Sequence, residues 1–236
     1  MKHTMSIFFG GVFISFLLLR CEGSAPEISS LGEVISPVDN PLSEEKIALG
    51  KALFFDKRMS SDGTVSCATC HVPEMAFTDQ KAFSDGVMGH HAKRNSPSLL
   101  NAGHLKTTMF DAFVPTLEMQ AIVPMQDTNE MGMVMKDLLT RLRGIPEYQK
   151  AAQTIFNRDF DAFVLTRSIA AFERSLISDN SRFDQVERNE IKRTAEEERG
   201  WQIFSDQLYC TKCHPAPHFT TFVAENNGLY KEFGED

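Results

Sequence analysis

Positive charge is in short supply in this 236-residue chain: 24 Lys and Arg stand against 32 Asp and Glu, a formal net charge of −8. Nucleic-acid binding wants a basic face, so that class is excluded, while a basic protein partner is compatible with the balance. Strand signals are missing too. No stretch alternates apolar and polar residues well and no hairpin turn is evident, which leaves an all-α chain. The uncharged, mainly apolar stretch from Ile7 to Leu19 is too short for a comfortable membrane span. Tryptophan occurs once, at Trp201, and no methionine follows Met135. Cysteine occurs five times, and four of the five fall in two short clusters.

Those clusters are Cys67-Ala-Thr-Cys70-His71 and Cys210-Thr-Lys-Cys213-His214. Both are C-x-x-C-H, the attachment signal of c-type haem. Two thiols three residues apart lie on one side of a helical turn, where each can add to a vinyl group of one flat porphyrin. The His that follows lies under the iron and can bind it axially. A lone C-x-x-C is also compatible with a redox dithiol, a disulfide or half of a zinc site. A four-cysteine zinc ribbon needs the two pairs to meet and leaves both histidines without a role. Two whole motifs beside a single further cysteine favour two covalently bound haem c groups. Cys67, Cys70, Cys210 and Cys213 would attach them, with His71 and His214 as axial iron ligands.

Haem is joined to such motifs outside the bacterial cytoplasm, and the N-terminus reads as an export signal. Lys2 and His3 supply a short positive start and Ile7 to Leu19 the apolar core. The expected location is periplasmic, with an uncleaved membrane anchor as the alternative. Cys21 sits where a bacterial lipoprotein carries its lipidated cysteine. Leu18 and Leu19 suit such a site, but Arg20 stands where a small residue is expected. The other option is a plain signal peptide cut after Ala25, against which Pro26 counts. Residues 1–25 are assigned to the signal and 26–42, with Pro26, Pro37 and Pro41, to a leader.

Helices are expected beyond the leader. Ser43 can cap one that carries Glu44 and Glu45 in its first turn and runs to about Phe55. Residues 60 to 108 are rich in Gly, Ser, Asp, Asn and His and read as loop wrapped around the first motif. Met131, Val134, Met135, Leu138, Leu139 and Leu142 follow a helical period that Gly144 and Pro146 end. These methionines read as core rather than as iron ligands. Ala162, Leu165, Ile169, Phe172 and Leu176 form another stripe. Thr194 and Glu197 make a capping box for a helix leading into the second motif.

Four blocks carry a family resemblance: Leu49-Gly-Lys-Ala-Leu-Phe-Phe-Asp56, Gly63-Thr-Val-Ser-Cys-Ala-Thr-Cys-His71, Arg94-Asn-Ser-Pro-Ser-Leu-Leu-Asn101 and Ile169-Ala-Ala-Phe-Glu-Arg-Ser-Leu176. In this order they resemble bacterial di-haem cytochrome c peroxidases, a family that includes the methylamine-utilisation di-haem oxidases. The resemblance runs from about Pro41 to the C-terminus. It implies two cytochrome-c-like domains, here 43–178 and 179–236. It implies a peroxidatic haem on Cys67, Cys70 and His71, and an electron-entry haem on Cys210, Cys213 and His214. A small c-type cytochrome or cupredoxin would feed the second haem, and hydrogen peroxide would be reduced to water at the first. A homodimer is one assembly the resemblance allows.

Splitting peroxide needs a proton moved from its inner to its outer oxygen, which a carboxylate over the iron can do. The family places a Gln and a Glu ten residues apart there, and Gln120 and Glu130 match in type and spacing. Without the resemblance, Gln120 would read as a solvated helix face and Glu130 as a helix-start acid. Many members also hold a loop His as sixth ligand of the first haem. His90 and His91 lie in the corresponding loop, as candidates or as an exposed pair. Asn95 matches a residue that helps bind an interdomain calcium.

Two features depart from the family. Its Phe-Trp-Asp-Gly-Arg block, whose Trp lies between the haems, reads Met109-Phe-Asp-Ala-Phe113 here, so Phe110 replaces the Trp and Phe113 the Arg. Phe is much harder to oxidise than Trp, which puts hole hopping at this position in doubt. The tail after His214 is short and holds no Met, and His218 follows His214 too closely to reach the opposite face. The second haem domain is therefore expected to be C-terminally incomplete. A di-haem oxidase acting on a protein substrate and a non-catalytic di-haem electron carrier are the alternatives to a peroxidase.

Overall fold

The computed structural model describes residues 31–226 and 228. The signal assignment and Cys21 lie outside the described residues. The described chain is helical, with isolated bridges such as Val72 to Thr78 and no strand among the described residues. No described helix is long and apolar enough to cross a membrane.

Helix α1 spans Glu44–Phe54 and starts as its sequence dictates: the Lys46 amide donates to Ser43 Oγ at 3.3 Å, with Glu44 and Glu45 in the first turn and Lys51 in the last. The first motif forms a single turn, α2, over Cys67–Cys70. Two short helices, α3 (Leu117–Gln120) and α4 (Ile122–Gln126), follow a long loop region. Helix α5 spans Met135–Arg143. It is shorter than the apolar period suggested, because Met131 and Val134 precede it. Met131 is buried, in an irregular segment, while Val134 is exposed. Gly144 closes α5, and Pro146 opens α6 (Pro146–Phe156).

Helix α7, Ala162–Arg174, is capped by Asp161, whose Oδ1 accepts from the Val164 amide at 3.0 Å. It is the most buried element, with Leu165, Ile169, Ala170 and Ala171 almost fully removed from solvent. The last two helices are α8 (Arg182–Glu187) and α9 (Ala195–Gln202). The Thr194–Glu197 capping box forms at the start of α9: the Glu197 amide donates to Thr194 Oγ1 at 3.2 Å, and the Thr194 amide to Glu197 Oε2 at 2.7 Å.

The crossing of α1 over α7 organises the first half of the chain. A Cβ built on Gly50 would stand 1.9 Å from the Ser168 carbonyl oxygen, so only a glycine allows this approach. Leu49 and Leu53 thereby join Leu165 and Ile169 in the main core, and Phe54 meets Phe172 with ring centroids 5.0 Å apart. A buried ion pair locks the end of α7 to α3: Arg174 Nη1 and Nη2 donate to Glu118 Oε1 and Oε2 at 2.6 and 2.9 Å. Asn40 Nδ2 adds a third bond to Glu118 at 2.8 Å. Burial alone would lift the Glu118 carboxyl, but the bonds from Arg174 and Asn40 outweigh it and hold it below its ordinary value.

Gly50→Ala should force the two helices apart and destabilise the protein by about 1–3 kcal/mol. Urea unfolding of the variant should show a lower midpoint at an unchanged slope.

Candidate haem sites

The first motif opens onto a cavity with about 550 Å³ of atom-free space. Cys67, Cys70 and His71 form one part of its wall, while Gln120 and Glu130, ten positions apart in sequence, form another. Ile169 and Glu173 face it from α7. The fold thus collects both motif thiols, the motif His and the two candidate catalytic residues around one space.

His71 is set for metal binding. Its Nδ1 lies 2.9 Å from the Phe77 carbonyl oxygen. A carbonyl only accepts, so Nδ1 carries the proton and Nε2 of the neutral ring keeps its lone pair; the Pro97 carbonyl is a further partner of the imidazole. Burial pushes the His71 pKa down, which favours the neutral, ligating imidazole. Phe54 packs beside the ring at 6.5 Å. The second motif repeats the arrangement: His214 Nδ1 lies 2.9 Å from the Phe219 carbonyl oxygen.

The thiols of the first motif argue against a redox dithiol. Burial pushes Cys67 up to about 12 and Cys70 up to about 11, so neither would supply a thiolate near neutral pH. A shared zinc site fails on placement, because no three His, Cys, Asp or Glu side chains among the described residues are gathered to hold a metal. The residues of both motifs therefore fit covalent haem attachment with an axial His.

Glu130 sits in a turn clasped by the loop that follows the first motif. The Val87 amide donates to the Glu130 carbonyl at 2.9 Å, and a Cβ on Gly86 would stand 1.8 Å from the Asn129 carbonyl oxygen. Burial, with a smaller push from Asp127, raises the pKa of the Glu130 carboxyl. Gln120 ends α3 and its Nε2 lies 3.8 Å from Met109 Sδ.

His90 and His91 are exposed and lie outside the cavity wall. His90 Nδ1 donates to the Thr128 carbonyl at 3.0 Å, which pins its loop to the Glu130 turn. His91 Nδ1 lies 3.2 Å from Asp85 Oδ1, and Asp85 also pairs with Lys81. Asn95 is exposed as well. Phe110 and Phe113 are 55% and 62% exposed, and the Arg94 guanidinium lies 5.4 Å from the Phe110 ring.

Near the second motif, Trp201 is half-buried and not core. It lines an open groove with Phe183, Phe204 and Phe219, bounding about 730 Å³ of atom-free space. His218 turns toward the first half of the chain, its ring 4.5 Å from that of His104.

Glu173 carries no sequence signal of a site residue. Its place in the Ile169–Leu176 stripe points to helix packing, and only the tertiary fold reveals that it faces the cavity.

A family model described as di-haem cytochrome c peroxidase matches residues 44–192, more than half of the chain. The chain belongs to that family. Two covalently bound c-type haems come with membership, and both attachment motifs are present. Among curated relatives, the methylamine utilization protein MauG of Methylophilus methylotrophus is 34% identical over 82% of this chain and 59% of its own length. The cytochrome-c peroxidase IdrP1 of Denitromonas iodatirespirans is 34% identical over 89% of this chain and 58% of its own. The crystal structure of a MauG-like protein associated with microbial copper homeostasis superposes with a TM-score of 0.75 at 32% identity, covering 84% of this chain and 60% of that one. The chain spans just under three-fifths of the length of the curated relatives it matches first.

Replacing Cys67 and Cys70 together by Ser should lower covalent haem from two to one per chain. Pyridine haemochrome absorbance per mole of protein reads this directly.

Proposed function

We propose that the chain acts in an exported di-haem c peroxidase, with the Cys67–His71 site reducing hydrogen peroxide to water. The observation that carries the proposal is the placement of Glu130, Gln120 and His71 around one cavity. A haem bound there would supply an iron that holds peroxide and passes it electrons. The protein's own groups do the rest. His71 would hold its iron through Nε2, with the ring fixed by the bond from Nδ1 to the Phe77 carbonyl. The Glu130 carboxylate takes the proton from the inner peroxide oxygen and returns it to the outer one. Gln120 helps to orient the substrate. A small c-type cytochrome or cupredoxin feeds the second haem, held by Cys210, Cys213 and His214. A sixth-ligand role for His90 or His91 would require release from Thr128 or Asp85, and a calcium role for Asn95 would need ligands from elsewhere.

The raised pKa of Glu130 makes it a poised base. Burial shifts its ionisation to higher pH than that of an exposed Glu, so peroxide turnover should rise with pH through a pKa above that of a free Glu carboxyl.

A second reading is a di-haem oxidase acting on a protein. It is supported by relatives named MauG at the same level of identity as those named peroxidase. Turnover of hydrogen peroxide with reduced small cytochrome c separates the two. Glu130→Gln should lower that turnover about 10²- to 10⁴-fold and flatten its acid limb. Turnover that survives the substitution unchanged would refute the role of Glu130.

A further inference from the structure

The first cavity contains a buried acid that the peroxide chemistry does not use. Glu173 is only 4% exposed, and its Oε2 has no hydrogen-bond partner. The adjacent Arg174 turns its Nη atoms to Glu118 and makes no hydrogen bond to Glu173 Oε2. A polar group buried without a partner costs about 1–3 kcal/mol, and more if charged. Burial, with a push from the Glu118 charge, lifts Glu173 to about 8 against the pull of Arg174. At neutral pH it is mainly a neutral carboxylic acid, and therefore a donor.

On the rim of a haem c, the groups able to accept such a bond are the propionates. Building on the haem site proposed above, we infer that Glu173 is a positioning residue of the first haem, donating its carboxyl O–H to a propionate from the α7 wall. The rigid end of α7 suits that role, because Arg174, Glu118 and Asn40 fix the turn that carries Glu173. A propionate that accepts a hydrogen bond presents less negative charge to the iron. Removing the donor should favour the ferric form and lower the potential of the first haem.

The test compares exported, haem-loaded wild type with Glu173→Leu and Glu173→Gln. Gln keeps a donor; Leu does not. Intact mass first counts the haems, and a wild type with fewer than two would defeat the haem assignment itself, apart from this inference. With two haems present, Glu173→Leu should shift the propionate bending band in the resonance Raman spectrum and lower the first-haem potential. Glu173→Gln should stay near wild type in both. If Glu173→Leu does not accumulate, Glu173→Met, closer to Glu in shape, is held to the same criteria. A donorless variant with wild-type band and potential, or a Gln variant displaced as far as it, would overturn the inference.

Discussion

The hydrogen bond between His71 Nδ1 and the Phe77 carbonyl is the constraint on which the first site depends. Once Nδ1 is committed, Nε2 is the one nitrogen left to meet a metal, and the ring cannot turn to offer the other. Much of the surrounding fold keeps that bond in place. Gly50 lets α1 press onto α7, which brings Phe54 against Phe172 and Phe77 at 5.0 and 6.2 Å. This aromatic group lies beside His71 and includes the residue whose carbonyl orients it. The recurrence of the bond at His214 and Phe219 makes it a shared device of the two motifs.

The two motifs nevertheless have unlike surroundings. The first faces a cavity bounded by packed helix, a clasped turn and two carboxyl groups of raised pKa. Those carboxyls differ in kind. Glu130 sits on a turn, half-buried, where a proton can come and go. Glu173 lies within a helix, shut in and without a partner for its Oε2. Near the second motif, Phe219, whose carbonyl meets His214, lines an open aromatic groove; the acid on its wall, Glu197, is bound by Arg182 and drawn down to about 2.

Much of this was legible in the sequence, for local reasons. Attachment motifs are contiguous, and caps such as Ser43 and the Thr194–Glu197 box act within one turn, so spacing alone reveals them. The stripe from Ala162 to Leu176 marked α7 because its period is helical, although the helix ends at Arg174 and Leu176 lies beyond it. The start of α5 was misplaced for the opposite reason: Met131 is buried by an irregular turn that happens to continue the period. Gln120 and Glu130 were found through family resemblance, since neither has a distinctive local signal. Trp201 lines an open groove, a placement its residue type does not signal. Glu173 was missed because its exposure to the cavity depends on how α7 meets α2 and α3, which no local pattern records.

The most direct test of the central claim is a crystal structure of the haem-loaded protein. It should show His71 Nε2 on the iron of the first haem, Nδ1 still bonded to the Phe77 carbonyl, and the Glu130 carboxyl over the opposite face. An iron ligated by another residue in place of His71, or a Glu130 carboxyl on the same face as His71, would contradict it.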